Sequence, residues 1–203
     1  LHENIHGMAG GTGQTTKDIL EKIDKRFECY SLVSSEKEML LWKRENYQTI
    51  LIKSWKMRSK WSAKEFYNYE LKSIYFQVLV DLNIDIVHIQ HLIGHSYDLP
   101  KVAKALGIPT IVSFHDFYYI CPTIHLLDHE NHYCEGQCRA KNLQCKIPAD
   151  KIFEDLPVVT DFIDTWRKET LRLFDNCTVF TVPTKSTMDL YISIYPSINK
   201  IRY

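Results

Sequence analysis

The sequence predicts an α/β fold, a parallel sheet with helices on both faces, and three observations lead there. Short apolar runs rich in β-branched residues, such as IDIVHIQ and PTIVSF, alternate with segments whose apolar residues recur at helical spacing. Those runs are mostly apolar along their length, as strands buried in a parallel sheet are. A glycine-rich turn, GMAGGTG, separates the first strand-like residues from the first helical segment. With 203 residues, 45% of them hydrophobic, the chain is long enough for one α/β domain, and residues 1–203 are read as one.

In order, residues 1–5 read as the end of a strand, with residues 15–27 following as a helix that carries Ile19, Leu20, Ile23 and Phe27 at helical spacing. Three strand-like runs, CYSLV, MLLWK and TILIKSW, occupy residues 28–54. A second helix is expected over 62–82, with Phe66, Tyr69, Ile74, Leu79 and Leu82 on or near its apolar face. Residues 84–90 make a buried strand, 98–106 a helix ended by Gly107, and 109–114 the next strand. After an irregular stretch, 115–150, come a helix over 161–174, a strand over 178–182, a helix over 185–194 and an extended segment over 200–203. No internal repeat, low-complexity run or long linker interrupts the pattern. The chain reads as cut at both ends, within a strand in front and at a linker behind.

Twenty-five basic and twenty-five acidic residues leave no net charge, which argues against non-specific nucleic-acid binding. No run approaches the ~20 apolar residues that span a bilayer. The start, LHENIHGMAG, lacks the basic and apolar regions of a signal peptide, so a cytoplasmic chain is expected. Residues 53–66 interleave Lys53, Lys56, Arg58, Lys60 and Lys64 with Trp55 and Trp61. Such a run is either a solvated loop with its tryptophans turned inward or a surface for an anionic membrane or lipid-linked acceptor. Peripheral contact with the inner face of the membrane therefore stays open.

Three segments carry candidate chemistry. Gly10, Gly11, Thr12 and Gly13 sit where a strand feeds a helix, so backbone N–H groups can approach an anion or sugar there. The run is no Walker A loop, and it fits a dinucleotide fingerprint only in part, because Thr16 stands where the third glycine would be. A tight turn without ligand is the alternative. Two successive strands end in polar, His-bearing tips: His88 within the first with His91 and His95 following it, and His115 with Asp116 and Tyr118 after the second. In a parallel sheet both tips share an edge with the glycine turn, and ligands bind at that edge. His115 beside Asp116 suits sugar hydroxyls or proton movement near neutral pH. His88, inside an apolar strand, reads as a core residue, and His91 lies between these two cases. Cys121, Cys134, Cys138 and Cys145 fall in one irregular insertion, about 121–145, where four thiolates can hold a structural zinc. His125, His129 and His132 are alternative ligands, and metal-free thiols or disulfides the alternative state. Cys29 and Cys177 read as small buried hydrophobes.

GGTGQTTKDIL, then DIVHIQHLIGHSYDLPKVAKALGIPTIVSFHDFYYICP, then FTVPTKSTMDLYISIYPSINKIRY resemble, in order and over nearly the whole chain, the N-terminal domain of family 4 (group 1) retaining glycosyltransferases with the GT-B fold. The central segment, with its H-D-aromatic run and later C-P, is the most specific part. The resemblance implies two Rossmann-like domains facing a cleft, the N-terminal one holding the acceptor and the C-terminal one a nucleotide-sugar donor. It implies hexosyl transfer to a glycan or lipid-linked acceptor, as in polysaccharide biosynthesis, with no cofactor required. By it His115 and Asp116 would be catalytic. Gly10, Gly11, Thr12, Gly13, His91 and Tyr118 would contact substrate, with Gly10 and Gly11 nearest the donor diphosphate or acceptor. The donor domain is absent from this sequence, so the chain alone is expected to be inactive. A non-catalytic sugar- or metal-binding module and a GT-B-fold nucleotide-sugar epimerase are the alternatives.

Overall fold

The structure, a computed structural model, describes residues 11–23, 26–35, 37–128, 130–138 and 160–203. Where the sequence predicts one domain, the contacts divide the chain into two compact units. One comprises Leu1–Trp61 with Ile89–His95, the other Ser62–His88 with Ser96–Tyr203.

The first unit opens with α1 (Gly11–Ile23). Gly11, Thr12 and Gly13, expected in a turn ahead of the helix, form its first turn instead. Thr16 is its buried residue, and its hydroxyl donates to the Thr12 carbonyl at 2.8 Å. Phe27 lies beyond the helix and is exposed. The three strand-like runs become β1 (Cys29–Ser35), β2 (Glu38–Glu45) and β3 (Gln48–Lys56), an antiparallel meander rather than members of a parallel sheet. Connection length is the physical reason. Only Asn46 and Tyr47 join β2 to β3, whereas parallel neighbours need a crossover of roughly a dozen residues. Both linking residues have positive φ, 50° and 64°, the signature of the tight turn whose twist matches a hairpin. A bulge breaks the register: Leu41 faces Lys53 and Trp42 faces Leu51, leaving Ile52 as the extra residue. Val33, Met39 and Leu41 are buried. Gly94 has φ +79°, and a Cβ there would lie 2.6 Å from the Ser34 side chain. The loop after β4 can therefore approach β1 that closely only with glycine at this position.

The second unit holds α2 (Tyr69–Asp81), α3 (Asp98–Ala105), β5 (Thr110–Ser113), α4 (Thr160–Phe174), β6 (Val179–Thr181), α5 (Lys185–Ile194) and β7 (Ile201–Arg202). The division between units falls within β4 (Val87–Ile89), whose Val87 and His88 belong here. The sheet is parallel, in the order β4-β5-β6-β7, with Ser113 opposite Thr181 and Thr181 opposite Arg202. The α/β class is as expected.

Helix α2 starts seven residues later than the expected 62, because Asn68 caps it by accepting the Leu71 N–H at 3.0 Å. The Asn68 N–H in turn donates to buried Asp98 at 2.8 Å, tying the start of α2 to the start of α3. Gly107, at φ +74°, follows α3 as the sequence predicts. One aromatic cluster is centred on Phe114, with Tyr191 at 4.2 Å, Tyr119 at 5.0 Å, Phe180 at 5.4 Å and Phe174 at 5.5 Å between ring centres. Another surrounds Trp166 with Tyr118, Phe66, Phe162 and Tyr97.

Candidate functional site

Strands β5 and β6 both end in a hydroxyl residue, and the register sets the two side by side. Ser113 Oγ and Thr181 Oγ1 are 2.8 Å apart. From the neighbouring strand β4, His88 Nε2 lies 2.9 Å from the same Ser113 Oγ. A hydrogen-bonded chain thus runs across three adjacent strands, imidazole to hydroxyl to hydroxyl, and in β5 and β6 it involves the last residue of the strand. Ser113 is buried, Thr181 half-buried and His88 exposed.

His88 is therefore not the core residue its apolar neighbours suggest. Successive strand residues point to opposite faces, so burial of Val87 and Ile89 turns His88 the other way. Burial of part of the ring, and then the positive charge that His115 can carry, both lower the His88 pKa below its ordinary 6.5. Neutral at physiological pH, His88 offers one ring nitrogen as donor and the other as acceptor.

His115 follows β5 by two residues and is half-buried, within electrostatic reach of His88. The sharp turn at this point is built by Asp116. Its carboxylate accepts the Tyr118 N–H at 2.8 Å, and its carbonyl accepts the Tyr191 hydroxyl at 2.9 Å. These contacts give Asp116 a shaping task at the turn that carries His115. Tyr118, expected at the substrate, is a core residue instead, 1% exposed. Its ring meets Trp166 edge-on at 5.0 Å, and its carbonyl accepts the Trp166 indole N–H at 2.9 Å. In the run after His115, Tyr118 and Tyr119 are aromatic because they pack.

In the first unit, His91 is also buried, with Nδ1 accepting the Ile93 N–H at 3.0 Å, a contact that shapes the loop. Gly11 is exposed, Thr12 and Gly13 half-buried, all on α1, while Gly10 lies outside the described residues.

The zinc expectation falls only in part on the described residues. Cys145 and His129 lie outside the described residues. Cys121 is buried, with its sulfur 3.1 Å from the Thr123 hydroxyl. Burial raises the Cys138 thiol pKa against the opposing pull of Arg167. Among the described residues, the one set of three ligand-bearing side chains within 4.8 Å of one another is Asp128, Glu130 and His132. It contains no cysteine, and His132 Nδ1 lies 3.4 Å from each of the two carboxylates as in an ion pair. Cys29 and Cys177 are buried, as expected, and burial pushes the Cys177 thiol up to about 12.

Sequence reasoning missed Ser113 and Thr181. The available signal was that TIVS and VFT each close an apolar run with a hydroxyl. No family model, curated protein or solved structure matches this chain. Among the described residues no helix is long and apolar enough to cross a membrane.

Proposed function

We propose that this chain is the acceptor-side domain of a retaining, GT-B-type glycosyltransferase. The observation that supports the reading is the polar set His88, Ser113, Thr181 and His115 at the carboxyl side of adjacent parallel strands. Open α/β sheets bind ligands on that side. The exposed His88, half-buried Thr181 and His115 offer both donors and acceptors, the complement that sugar hydroxyls require.

In this reading a glycan or lipid-linked acceptor lies against the set, and the nucleotide-sugar donor is held by a second domain. His115 hydrogen-bonds the reacting sugar, the donor's own phosphate takes the acceptor proton, and Asp116 holds the turn that presents His115. No metal or other cofactor takes part.

The test is sugar transfer by the protein that carries this domain, assayed with a panel of nucleotide sugars, and repeated with His115→Ala. Turnover is expected to fall on the order of a hundredfold, the loss typical of one hydrogen bond made chiefly in the transition state. The unfolding temperature should hold, because His115 is not core packing. A wild-type protein that transfers no sugar from any donor refutes the reading. Unchanged turnover in the variant removes His115 from it.

A further inference from the structure

Beyond the turn that carries His115 the chain folds back as a small hairpin. Leu127 pairs with Tyr133 in an antiparallel bridge, and the Asp128 N–H donates to the His132 carbonyl at 3.0 Å. The Cys134 N–H donates to the carbonyl of buried Leu126 at 2.9 Å, which anchors the base. Asn131, at φ +68°, supplies the left-handed residue of the tip. One carboxylate oxygen of Asp128 shapes that tip, Oδ1 accepting the Glu130 N–H at 2.9 Å and the His132 N–H at 2.8 Å. The other, Oδ2, lies 3.4 Å from His132 Nδ1, and Glu130 Oε2 lies 3.4 Å from the same nitrogen.

The set is not a crowd of acids, because an imidazole nitrogen stands between the two carboxylates. At 3.4 Å from each, that nitrogen lies beyond the N–H···O hydrogen-bond range of about 2.7–3.2 Å and favours neither. The spacing suits a shared ion better. Around zinc, with bonds of about 2.0–2.1 Å, tetrahedral neighbours sit about 3.3–3.4 Å apart. Octahedral magnesium would draw adjacent ligands to about 2.9 Å, and calcium takes about six to eight oxygens rather than an imidazole. Asp128 is half-buried while Glu130 and His132 are exposed, so a fourth corner is open to water.

We propose that Asp128, Glu130 and His132 form a zinc site that pins this hairpin. The site owes nothing to cysteine, and its test reads no sugar transfer.

The full chain, stripped by a chelator that is then removed, is titrated with zinc against a chromogenic competitor, and separately with cobalt. One zinc should bind per chain, magnesium and calcium should fail to displace it, and the thermal midpoint should rise with zinc. Cobalt should give the visible bands of nitrogen and oxygen ligation without the intense near-ultraviolet absorption of a cobalt–thiolate bond. Losing a hydrogen-bond partner of a ligand weakens a metal site by about 10–100-fold, so losing a ligand itself, in Glu130→Gln or His132→Ala, should weaken binding by about a hundredfold or more. Asp128→Asn keeps the oxygen that shapes the tip and removes the charge, and should also weaken binding. Circular dichroism without metal checks the fold, which the two exposed positions should leave intact. The proposal is overturned if the wild-type chain takes up no zinc, or if magnesium or calcium displaces it. It is also overturned if the folded Glu130→Gln and His132→Ala variants bind unchanged, or if cobalt reports thiolate ligation, which would assign the metal to the cysteines.

Discussion

His88 shows how a single side chain couples the site to stability. Its folded-state pKa lies below 6.5, through partial burial and then the neighbouring charge of His115. Above the unfolded pKa both states hold the ring neutral, and its contribution to stability is complete. As pH falls below about 6.5 the unfolded chain binds the proton first, and the contribution is lost as pH falls through the lower, folded pKa. Thermal unfolding followed from about pH 7.5 downward should therefore show a falling midpoint, with a smaller fall in His88→Gln, which keeps a partner for Ser113. Equal falls in both proteins would assign the acid sensitivity to other groups. The strand of His88 is legible in its apolar neighbours, but its side is not: those neighbours suggest a core residue, whereas the period of two along a strand turns it away from them. His91 and Tyr118 erred in the opposite direction: a polar atom in a loop does not reveal that its partner is a backbone N–H or that its ring is surrounded by aromatics.

Elements were legible where local signals decide them. Gly107 ends α3, and α5 occupies Lys185–Ile194 as expected, with Thr184 capping it by accepting the Thr187 N–H at 3.1 Å. Neighbours were not legible, since apolar periodicity marks a strand without saying which strand lies beside it. That is why the runs at 28–54 were expected in a parallel sheet. Their antiparallel pairing depends on a turn, Asn46-Tyr47, that carries no glycine to announce itself. Asparagine tolerates positive φ, but tyrosine there bears a cost of about 1 kcal/mol or more. Tyr47 is exposed. Tyr47→Gly is expected to stabilise the protein by roughly 0.5–1 kcal/mol, after allowing for the greater freedom glycine gives the unfolded chain. Urea unfolding measures it, and a lower midpoint would mean that the tyrosine ring holds the hairpin.

For the molecule as a whole, the α/β class was readable from residue 84 onward, where strand, helix and strand follow one another without irregular strand pairs. Division into two units was not, because no linker marks it and the boundary falls inside β4. Within the second unit the Trp166 cluster joins α4 to the segment before α2, to the start of α3 and to the turn after β5. Trp166 is 1% exposed, and nothing in the sequence distinguishes it from an ordinary helix residue. Trp166→Ala removes that packing and the indole N–H bond to the Tyr118 carbonyl, and should cost about 3–5 kcal/mol. Denaturant unfolding checks it. A loss below about 1 kcal/mol would show that the cluster is not the unit's core.

The sheet also has a timetable. The Val87 N–H bonds to the Pro109 carbonyl and the Phe180 N–H to the Lys200 carbonyl, so each outer pair of strands closes a span of roughly twenty residues. Between them, Thr110 and Thr178 meet across 68 positions. Loop entropy makes that central closure dearer by about 1 kcal/mol than either outer one. On loop entropy alone the outer pairs close more readily, and the union of β5 with β6 is expected to come last. Ser113 and Thr181 would acquire each other at that step, so the hydroxyl chain is expected to be completed with the most distant contact in the sheet.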